Sequence, residues 1–200
     1  MRILAFSDLH RDANAARVIL EQSREADVVV GAGDFATRGV GLDDTISILR
    51  DLTVPAVFVA GNHECPEDLK LAFHGNHGVH VLHGYDVLIN GVRFFGLGGE
   101  IPCNEDFSWN HGISEEAAEL FLRKCPPNAV LVTHSPPFGI ADVQREGRHD
   151  GSRAVRNALV KSSPRLHFCG HVHHSWGRSG VISNCSVHNL GPTVNWFSLS

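Results

Sequence analysis

Five short apolar runs, each followed closely by aspartate, asparagine or histidine, constrain the fold of this 200-residue chain more than any other feature. Their length and their β-branched content suit buried strands better than helices. In an open, mostly parallel sheet, the side chains that follow the strands gather at one edge. The sequence therefore predicts one polar site, built from residues at five strand ends: Asp8 and His10, Asp34, Asn62, His134, and His171 and His173.

The order of the predicted elements indicates an α/β fold. Residues 1 to 60 alternate strands and helices, and this β-α-β-α-β pattern predicts a parallel sheet with right-handed crossovers. Asp12 is placed to cap the first helix, and Pro66 to begin a later short one. Asn90-Gly91 lies between two apolar runs and predicts a hairpin. From that hairpin we expect a mainly antiparallel section, with two or three closing antiparallel strands after residue 177.

Two further features of the second half concern a helix and two loops. Ser114 can cap a helix to about residue 124, with Ala117, Leu120 and Phe121 predicted to face inward. The segment 98–112 is too long and aromatic for a tight connection, and we expect it to overhang the site. A second long loop is expected over residues 135–150.

Composition sets the broad class of protein. The length suits a single domain over residues 1–200, and the content of 42% apolar and 20% charged residues is ordinary for a globular protein. No window approaches the roughly 18 apolar residues of a membrane span. The N-terminus shows no signal-peptide pattern, and the five cysteines show no CxxC spacing, so we expect a cytoplasmic protein without disulfides. The net charge of −5 argues against a nucleic-acid partner, whereas the oligomeric state stays open.

The residue types at the strand ends indicate a transition-metal site. Zinc, manganese and iron ions prefer imidazole and carboxylate ligands. Seven ligands are too many for one ion and suit two ions about 3.5 to 4 Å apart, the separation used in phosphoryl transfer. Asp34 is the natural bridge, because a carboxylate has two oxygens. We expect two divalent ions per chain, manganese first, with iron or zinc as alternatives. The predicted ligands are Asp8, His10, Asp34, Asn62, His134, His171 and His173.

These residues occur in motifs whose order is informative: Asp8-x-His10, Gly33-Asp34, Gly61-Asn62-His63-Glu64, His134 and Gly170-His171-x-His173. Together they resemble the calcineurin-like metallophosphoesterase family over residues 8 to 173. The resemblance implies a four-layer α/β/β/α sandwich with two mixed central sheets. It also implies two ligand sets: Asp8, His10, Asp34 and His173 for one metal, and Asp34, Asn62, His134 and His171 for the other. The family position matched by His63 stabilises the transition state or protonates the leaving oxygen.

The resemblance implies an enzyme that hydrolyses phosphate esters. A metal-bridging hydroxide is expected to attack phosphorus in line, with His63 and Asp34 as the catalytic residues. Residues 133–139 and 164–173 are similar to a small branch of the family associated with phosphodiester hydrolysis. We therefore expect a small-molecule substrate, namely a small phosphodiester such as a cyclic nucleotide. The predicted substrate contacts are Asn62, Arg11, Trp109 and Asn110.

Other functions and roles stay open at this point. A phosphomonoesterase or phosphoprotein phosphatase would use the same metals, and a non-catalytic scaffold could share the fold. Arg11 could clamp a monoester, since a dianion benefits from fixed cations. Glu64 could orient a metal ligand, or it could cap the helix that begins at Pro66.

Overall fold

Two β-sheets lie face to face between two layers of helices in the computed structural model, which describes residues 1–103 and 107–199. The four-layer α/β/β/α arrangement predicted from the motifs is confirmed. The part of the predicted loop 98–112 that covers residues 104–106 lies outside the described residues. Among the residues that are described, no helix is long and apolar enough to cross a membrane.

The first sheet is mainly parallel. Its strands are β1 (Arg2–Phe6), β2 (Val28–Gly31), β3 (Ala56–Phe58), β4 (Val79–Val81) and β11 (Asn195–Ser198), in the order β11-β1-β2-β3-β4. Only β11 is antiparallel to its neighbour within this described sheet. The helices that connect its parallel strands are α1 (Ala13–Ser23), α2 (Asp43–Leu49) and α3 (Pro66–Ala72). Asp12 caps α1 and Pro66 begins α3, as predicted.

The second sheet is mixed. Its strands are β5 (Tyr85–Ile89), β6 (Val92–Leu97), β7 (Val130–Thr133), β8 (Leu166–Cys169), β9 (Ser179–Ile182) and β10 (Cys185–Asn189), in the order β5-β6-β7-β8-β10-β9. The predicted hairpin at Asn90-Gly91 joins β5 and β6. Two helices pack on this sheet, α4 (Glu115–Leu122) and α5 (Arg153–Ser162).

Side-chain alternation along the strands builds three apolar interfaces between the four layers. In β1, Leu4 and Phe6 face helices α1 to α3, whereas Ile3 and Ala5 face the second sheet. In β7, Leu131 packs against α4 and α5, and its neighbours in the strand face the first sheet. The period of two in a strand explains this division, because successive side chains point to opposite faces.

The expectation of a mainly antiparallel second half is wrong. Strands β6, β7, β8 and β10 are parallel to one another, and within the described part of this sheet only the outer pairs β5–β6 and β9–β10 are antiparallel. Helix α4 connects β6 to β7, and α5 connects β7 to β8, which are the crossovers that parallel neighbours require. The hairpin signal was correct locally, but the two later helices decide the strand direction.

The predicted inward face of α4 is right only in part. Phe121 packs against the apolar cluster on this side of the second sheet, but the helix is rotated away from the predicted stripe. Ala118 and Leu122 are the buried residues of this helix, whereas Leu120 is 61% exposed. The rotation of the helix follows from Glu115, whose carboxylate accepts hydrogen bonds from the backbone N–H groups of Arg153 and Ala154 at 2.8 and 2.7 Å. Because positions 115, 118 and 122 share one helix face, this contact turns residue 118 toward α5.

Candidate metal centre

The carboxyl ends of β1, β2, β3, β7 and β8 meet at one edge of the two sheets. The backbone N–H of Asp8 donates to the Gly33 carbonyl at 2.9 Å, which joins two of the strand ends within the first sheet. The backbone N–H of His171 donates to Oδ1 of Asp8 at 3.0 Å, which ties the second sheet to the first. The predicted gathering of strand-end residues at one edge is therefore observed.

Four of the predicted ligands form one tight group. One donor atom from each lies within 4.8 Å of the others: Asp8, His10, Asp34 and His173. Nε2 of His10 is 3.1 Å from Nε2 of His173 and 3.4 Å from Oδ2 of Asp34. Ligands of one zinc-like ion are about 3 Å apart, because each lies about 2.1 Å from the ion. These atoms fit a single divalent ion.

The other predicted ligands converge on Asp34 as well. Nε2 of His134 is 3.4 Å from Oδ2 of Asp34 and 3.1 Å from Oδ1 of Asn62. Oδ1 of Asn62 is in turn 3.2 Å from Nδ1 of His171. Nδ1 of His134 lies 2.8 Å from the carbonyl oxygen of Ala32, and donation to that oxygen leaves Nε2 as a ligand. This second set lies around the same Asp34 carboxylate as the first.

Two of the predicted ligands, Asp34 and His171, have the protonation state that binds cations, and a third, His134, does not. Burial alone would lower the pKa of His134, but the neighbouring Asp34 carboxylate raises it to about 10, so this imidazole must release a proton when it binds metal. Burial alone would raise the pKa of Asp34, but the neighbouring His134, His63 and His10 outweigh it and hold that pKa well below its usual range. Burial, and then the neighbouring His134, lowers the pKa of His171 to about 3. Asp34 is therefore an anion and His171 a neutral imidazole at neutral pH, which are the forms that bind metal.

The backbone at the site is strained. Asp8, His10, Asp34 and His171 all have positive φ, at 54°, 45°, 59° and 67°. Each such conformation costs about 1 to 3 kcal/mol in a non-glycine residue and persists only where the surroundings impose it. Four strained residues among the seven predicted ligands are typical of a functional site.

Glycine is required directly before two of the predicted ligands, because a side chain at either position would collide with a carboxylate. A Cβ atom at Gly61 would lie 1.9 Å from Oδ1 of Asp34, and one at Gly170 would lie 2.3 Å from Oδ2 of Asp8. No heavy atoms approach each other so closely without a bond. The two carboxylates therefore occupy space that any other residue would fill.

Glu64 holds the backbone of Asp34 in place and does not cap α3. Its Oε1 accepts from the backbone N–H groups of Asp34 and Gly61 at 2.9 and 2.7 Å, and its Oε2 accepts from that of Ala36 at 3.0 Å. The cap of α3 is Cys65. Of the two roles left open from the sequence, Glu64 thus has the orienting one. Burial, and then the charge of Asp34, raises the pKa of Glu64 to about 7.

His63 lies beside the metal ligands in a defined orientation. Its Nδ1 accepts from the backbone N–H of Arg38 at 2.7 Å, so the proton of the neutral ring is on Nε2. That Nε2 is 3.8 Å from Oδ2 of Asp34. Burial lowers the pKa of His63, although the charge of Asp34 acts in the opposite direction. The ring therefore directs an N–H group toward the predicted site.

The other predicted substrate contacts are placed as follows. Nε of Arg11 is 2.7 Å from Oδ2 of Asp44, so its charge is already paired. Trp109 stacks on His63, with ring centroids 4.9 Å apart and planes 3° from parallel. Asn110 accepts at its Oδ1 from Nδ2 of Asn62 at 2.8 Å. Asn62 itself directs its Oδ1 toward the two histidines of the second ligand set.

Three residues that sequence reasoning missed hold the ligands in place. Trp176 donates its indole N–H to Oδ2 of Asp8 at 3.1 Å, and the Ser7 hydroxyl donates to the same oxygen. Glu100 accepts from Nδ2 of Asn110 at 2.6 Å and lies 4.0 Å from Nε2 of His171. Only the position of Ser7, directly before a ligand, could have indicated such a role.

Comparison with known proteins decides the family. The family model for calcineurin-like phosphoesterases matches residues 1–175. This chain belongs to the calcineurin-like phosphoesterase family. Members of the family act on phosphate esters through a divalent metal centre, and the ligand cluster described above supplies the side chains for one. The chain is a metal-dependent phosphoric ester hydrolase.

Curated relatives and a solved structure are similar to this chain over most of its length. UPF0046 protein K07C11.7 of Caenorhabditis elegans is 29% identical over 206 residues, covering 92% of this chain and 66% of its own length. Human metallophosphoesterase domain-containing protein 1 is 25% identical over 230 residues, covering 98% and 67%. The chain thus spans about two thirds of the length of these relatives. The crystal structure of TT1561 of Thermus thermophilus has the same fold, with a TM-score of 0.75, 17% identity and coverage of 98% and 97%.

Proposed function

We propose that this phosphoesterase hydrolyses small phosphodiesters, cyclic nucleotides among them, with two divalent ions and with His63 acting on the leaving oxygen. The convergence of two ligand sets on Asp34 carries the proposal. Nε2 of His10 and Nε2 of His134 are each 3.4 Å from the same Asp34 oxygen, Oδ2. One carboxylate between two sets of imidazoles is the arrangement that a pair of ions needs.

The residues present fit such ions by number and by type. Asp8, His10 and His173 would hold one ion, and Asn62, His134 and His171 the other, with Asp34 shared between them. When bound, ions of this kind lower the pKa of a coordinated water and neutralise charge on phosphate oxygens. Manganese is the ion that we favour, with iron and zinc as alternatives, because all three accept imidazole and carboxylate.

In this proposal the Nε2–H group of His63 donates a hydrogen bond to the leaving oxygen and stabilises the negative charge that develops on it. The Arg38 N–H group, at 2.7 Å from Nδ1, keeps the proton on Nε2, which faces the ligands. We expect His63→Ala to retain its metal and to lose on the order of 10²-fold in kcat, the usual scale for acid–base assistance. Elemental analysis and kinetics measure the two effects separately. Wild-type kcat in the variant would exclude this role.

The preference for diesters rests on charge. A diester carries one negative charge, which two metal ions and neutral donors can bind, whereas a monoester dianion benefits from further fixed cations. Arg11, the cation next to the first ligand motif, is paired with Asp44 at 2.7 Å. Its charge is therefore partly neutralised before a substrate arrives.

A second candidate function, phosphomonoester hydrolysis, is favoured by Arg38. Its guanidinium lies 5.9 Å from the ring centroid of Trp109, close to His63. Within residues 1–103 and 107–199, no carboxylate lies within ion-pair distance of it. A cation in this position near the site could bind the extra charge of a monoester.

A substrate panel with added Mn²⁺ tests the two functions against each other. It compares bis-nitrophenyl phosphate and cyclic nucleotides with nitrophenyl phosphate, nucleoside monophosphates and a phosphopeptide. We expect higher kcat/KM on the diesters. Higher values on the monoesters would make the protein a phosphatase, and the Arg38→Ala variant should then lose monoester activity selectively. No turnover by the metal-loaded protein would support a non-catalytic scaffold.

We also propose a cytoplasmic location. Cys65, Cys125, Cys169 and Cys185 are free thiols. Thiols persist in reducing compartments. The small phosphate esters proposed as substrates would be metabolites of the cytoplasm. The proposed function requires no partner other than the substrate.

A further inference from the structure

Three aromatic rings form a parallel stack that ends on His63. Trp109 lies 4.9 Å from His63 with planes 3° apart, and Phe107 lies 5.4 Å from Trp109 with planes 10° apart. The His63 side chain is 16% exposed, whereas Phe107 is 52% exposed. The stack therefore runs from the protein surface to the residue that faces the metal ligands.

The segment that carries Trp109 also holds the residue next to His63. Asn110 accepts a hydrogen bond from the Asn62 side chain at 2.8 Å, and the backbone N–H of His111 donates to the Asn62 carbonyl at 2.9 Å. Three successive residues, 109 to 111, thus each contact the Asn62-His63 pair. The segment forms one side of the site rather than a loose cover over it.

We propose that Trp109 is a positioning residue for His63: it fixes the plane of the imidazole so that Nε2–H points at the leaving oxygen. This inference rests on the proposed role of His63. The contacts of Trp109 described above are with His63, Phe107 and Arg38, which are protein groups rather than substrate.

The geometry explains why both a hydrogen bond and a stack are needed. The bond from the Arg38 N–H group decides which nitrogen is turned away from the site. A single hydrogen bond still permits the ring to rock about its χ2 torsion, since torsions to sp² rings have broad minima. The parallel indole removes this freedom, because a rocked imidazole would lose its stacking contact. Together the two contacts define the direction of Nε2–H.

The expected effect is limited by what His63 itself contributes. Misplacing a catalytic group by about 1 Å costs up to 10²-fold in rate. A variant that releases the ring without removing it should lose less, about 10-fold in kcat. The loss should be larger for an alkoxide leaving group, which needs a proton, than for nitrophenolate, which does not.

Two substitutions separate a flat ring from apolar bulk. Trp109→Phe keeps a stacking ring, and Trp109→Leu keeps apolar volume without a plane. We expect Trp109→Phe to remain within about threefold of wild type, and Trp109→Leu to lose about 10-fold in kcat on the poor leaving group with KM unchanged. Leu120→Ala, on the exposed face of α4, is the control with unchanged activity. Metal content and circular dichroism establish that each variant is folded and loaded.

A double variant, which combines His63→Ala with Trp109→Leu, and an NMR measurement complete the test. In the His63→Ala background, Trp109→Leu should have no further effect on kcat, because nothing remains to be positioned. In the Zn²⁺-loaded protein, ¹⁵N shifts of His63 should report the Nε2–H tautomer in both proteins, since Arg38 fixes it, and the ring resonances should be broadened by motion only in Trp109→Leu.

Each alternative gives a different result. A rise in KM without a change in kcat would make Trp109 a substrate contact and overturn the proposal. Equal losses of kcat on both leaving groups, with a further loss when Trp109→Leu is combined with His63→Ala, would indicate general damage to the site. That result would also overturn the proposal. If His63→Ala alone has wild-type kcat, the proposed role of His63 fails. If His63→Ala is impaired but Trp109→Leu is not, only the positioning role fails.

Discussion

Replacing Glu64 by glutamine should destabilise the protein strongly, although the two side chains have nearly the same shape. The carboxylate accepts three backbone N–H groups, from Asp34, Gly61 and Ala36, within 3.0 Å and is 5% exposed. A glutamine oxygen can keep the two bonds at Oε1, but its NH₂ group would then face the Ala36 N–H. A protonated Glu64 still accepts this bond at its hydroxyl oxygen, whereas glutamine does not. The loss of one neutral hydrogen bond costs about 0.5 to 1.5 kcal/mol, and a buried unpaired donor adds about 1 to 3 kcal/mol.

Urea unfolding at pH 5.5 measures this effect, since burial, and then the charge of Asp34, raises the pKa of Glu64 to about 7. Above that pH the buried charge itself lowers the stability of the wild type, and glutamine would relieve that cost. We expect the free energy of unfolding to fall by about 3 kcal/mol. Glu67→Gln is the matched control, an exposed glutamate in the first turn of α3, and it should change by less than about 1 kcal/mol. A Glu64→Gln variant as stable as Glu67→Gln would refute the supporting role.

Two further predictions concern Trp176 and His167. Trp176→Phe keeps a ring against His173 but removes the indole N–H from Asp8, so Mn²⁺ affinity measured by calorimetry should fall about 10- to 100-fold; unchanged affinity contradicts the contact. Burial, and then His188, lowers the pKa of His167 to about 3 from 6.5. Its stabilising effect is complete above pH 6.5 and is lost toward pH 3, so wild type should lose about 2 kcal/mol more than His167→Gln between pH 8 and pH 5. Parallel pH profiles of unfolding would exclude this effect.

The gathering of the predicted ligands at one edge could be predicted from the sequence because each lies just after an apolar strand. Strand ends are local features, and the rule that parallel strands present their carboxyl ends at one edge brings distant motifs together. Thus Nε2 of His134 lies 3.1 Å from Oδ1 of Asn62, although the two residues are separated by 72 positions in the sequence. This rule applies whatever path the loops between the strands take.

The residues that support the ligands could not be predicted in this way. Trp109, Asn110 and Glu100 lie in a connection whose path depends on the packing of the whole second sheet. Trp176 reaches Asp8 across 168 residues because a short 3-10 turn, His173–Ser175, reverses the chain. No local pattern marks such a contact.

Errors in the predicted elements have the same origin. The exposed Leu120 satisfies the helical pattern of α4 as well as Ala118 does, and only the contact of Glu115 with the start of α5 selects the buried face. The parallel direction of β7 depends on the crossover through α4. Both features are decided by tertiary contacts, which hydrophobic periodicity does not contain.

The central claim, a pair of ions that share Asp34, is tested most directly by counting bound metal. The protein is loaded with Mn²⁺, freed of excess ion and analysed for manganese against protein concentration, beside the Asp34→Ala variant. We expect about two ions per wild-type chain, and weakened binding of both in the variant, since the bridge belongs to each ligand set. A wild-type chain that retains no metal and gains no activity from added Mn²⁺ would contradict the account.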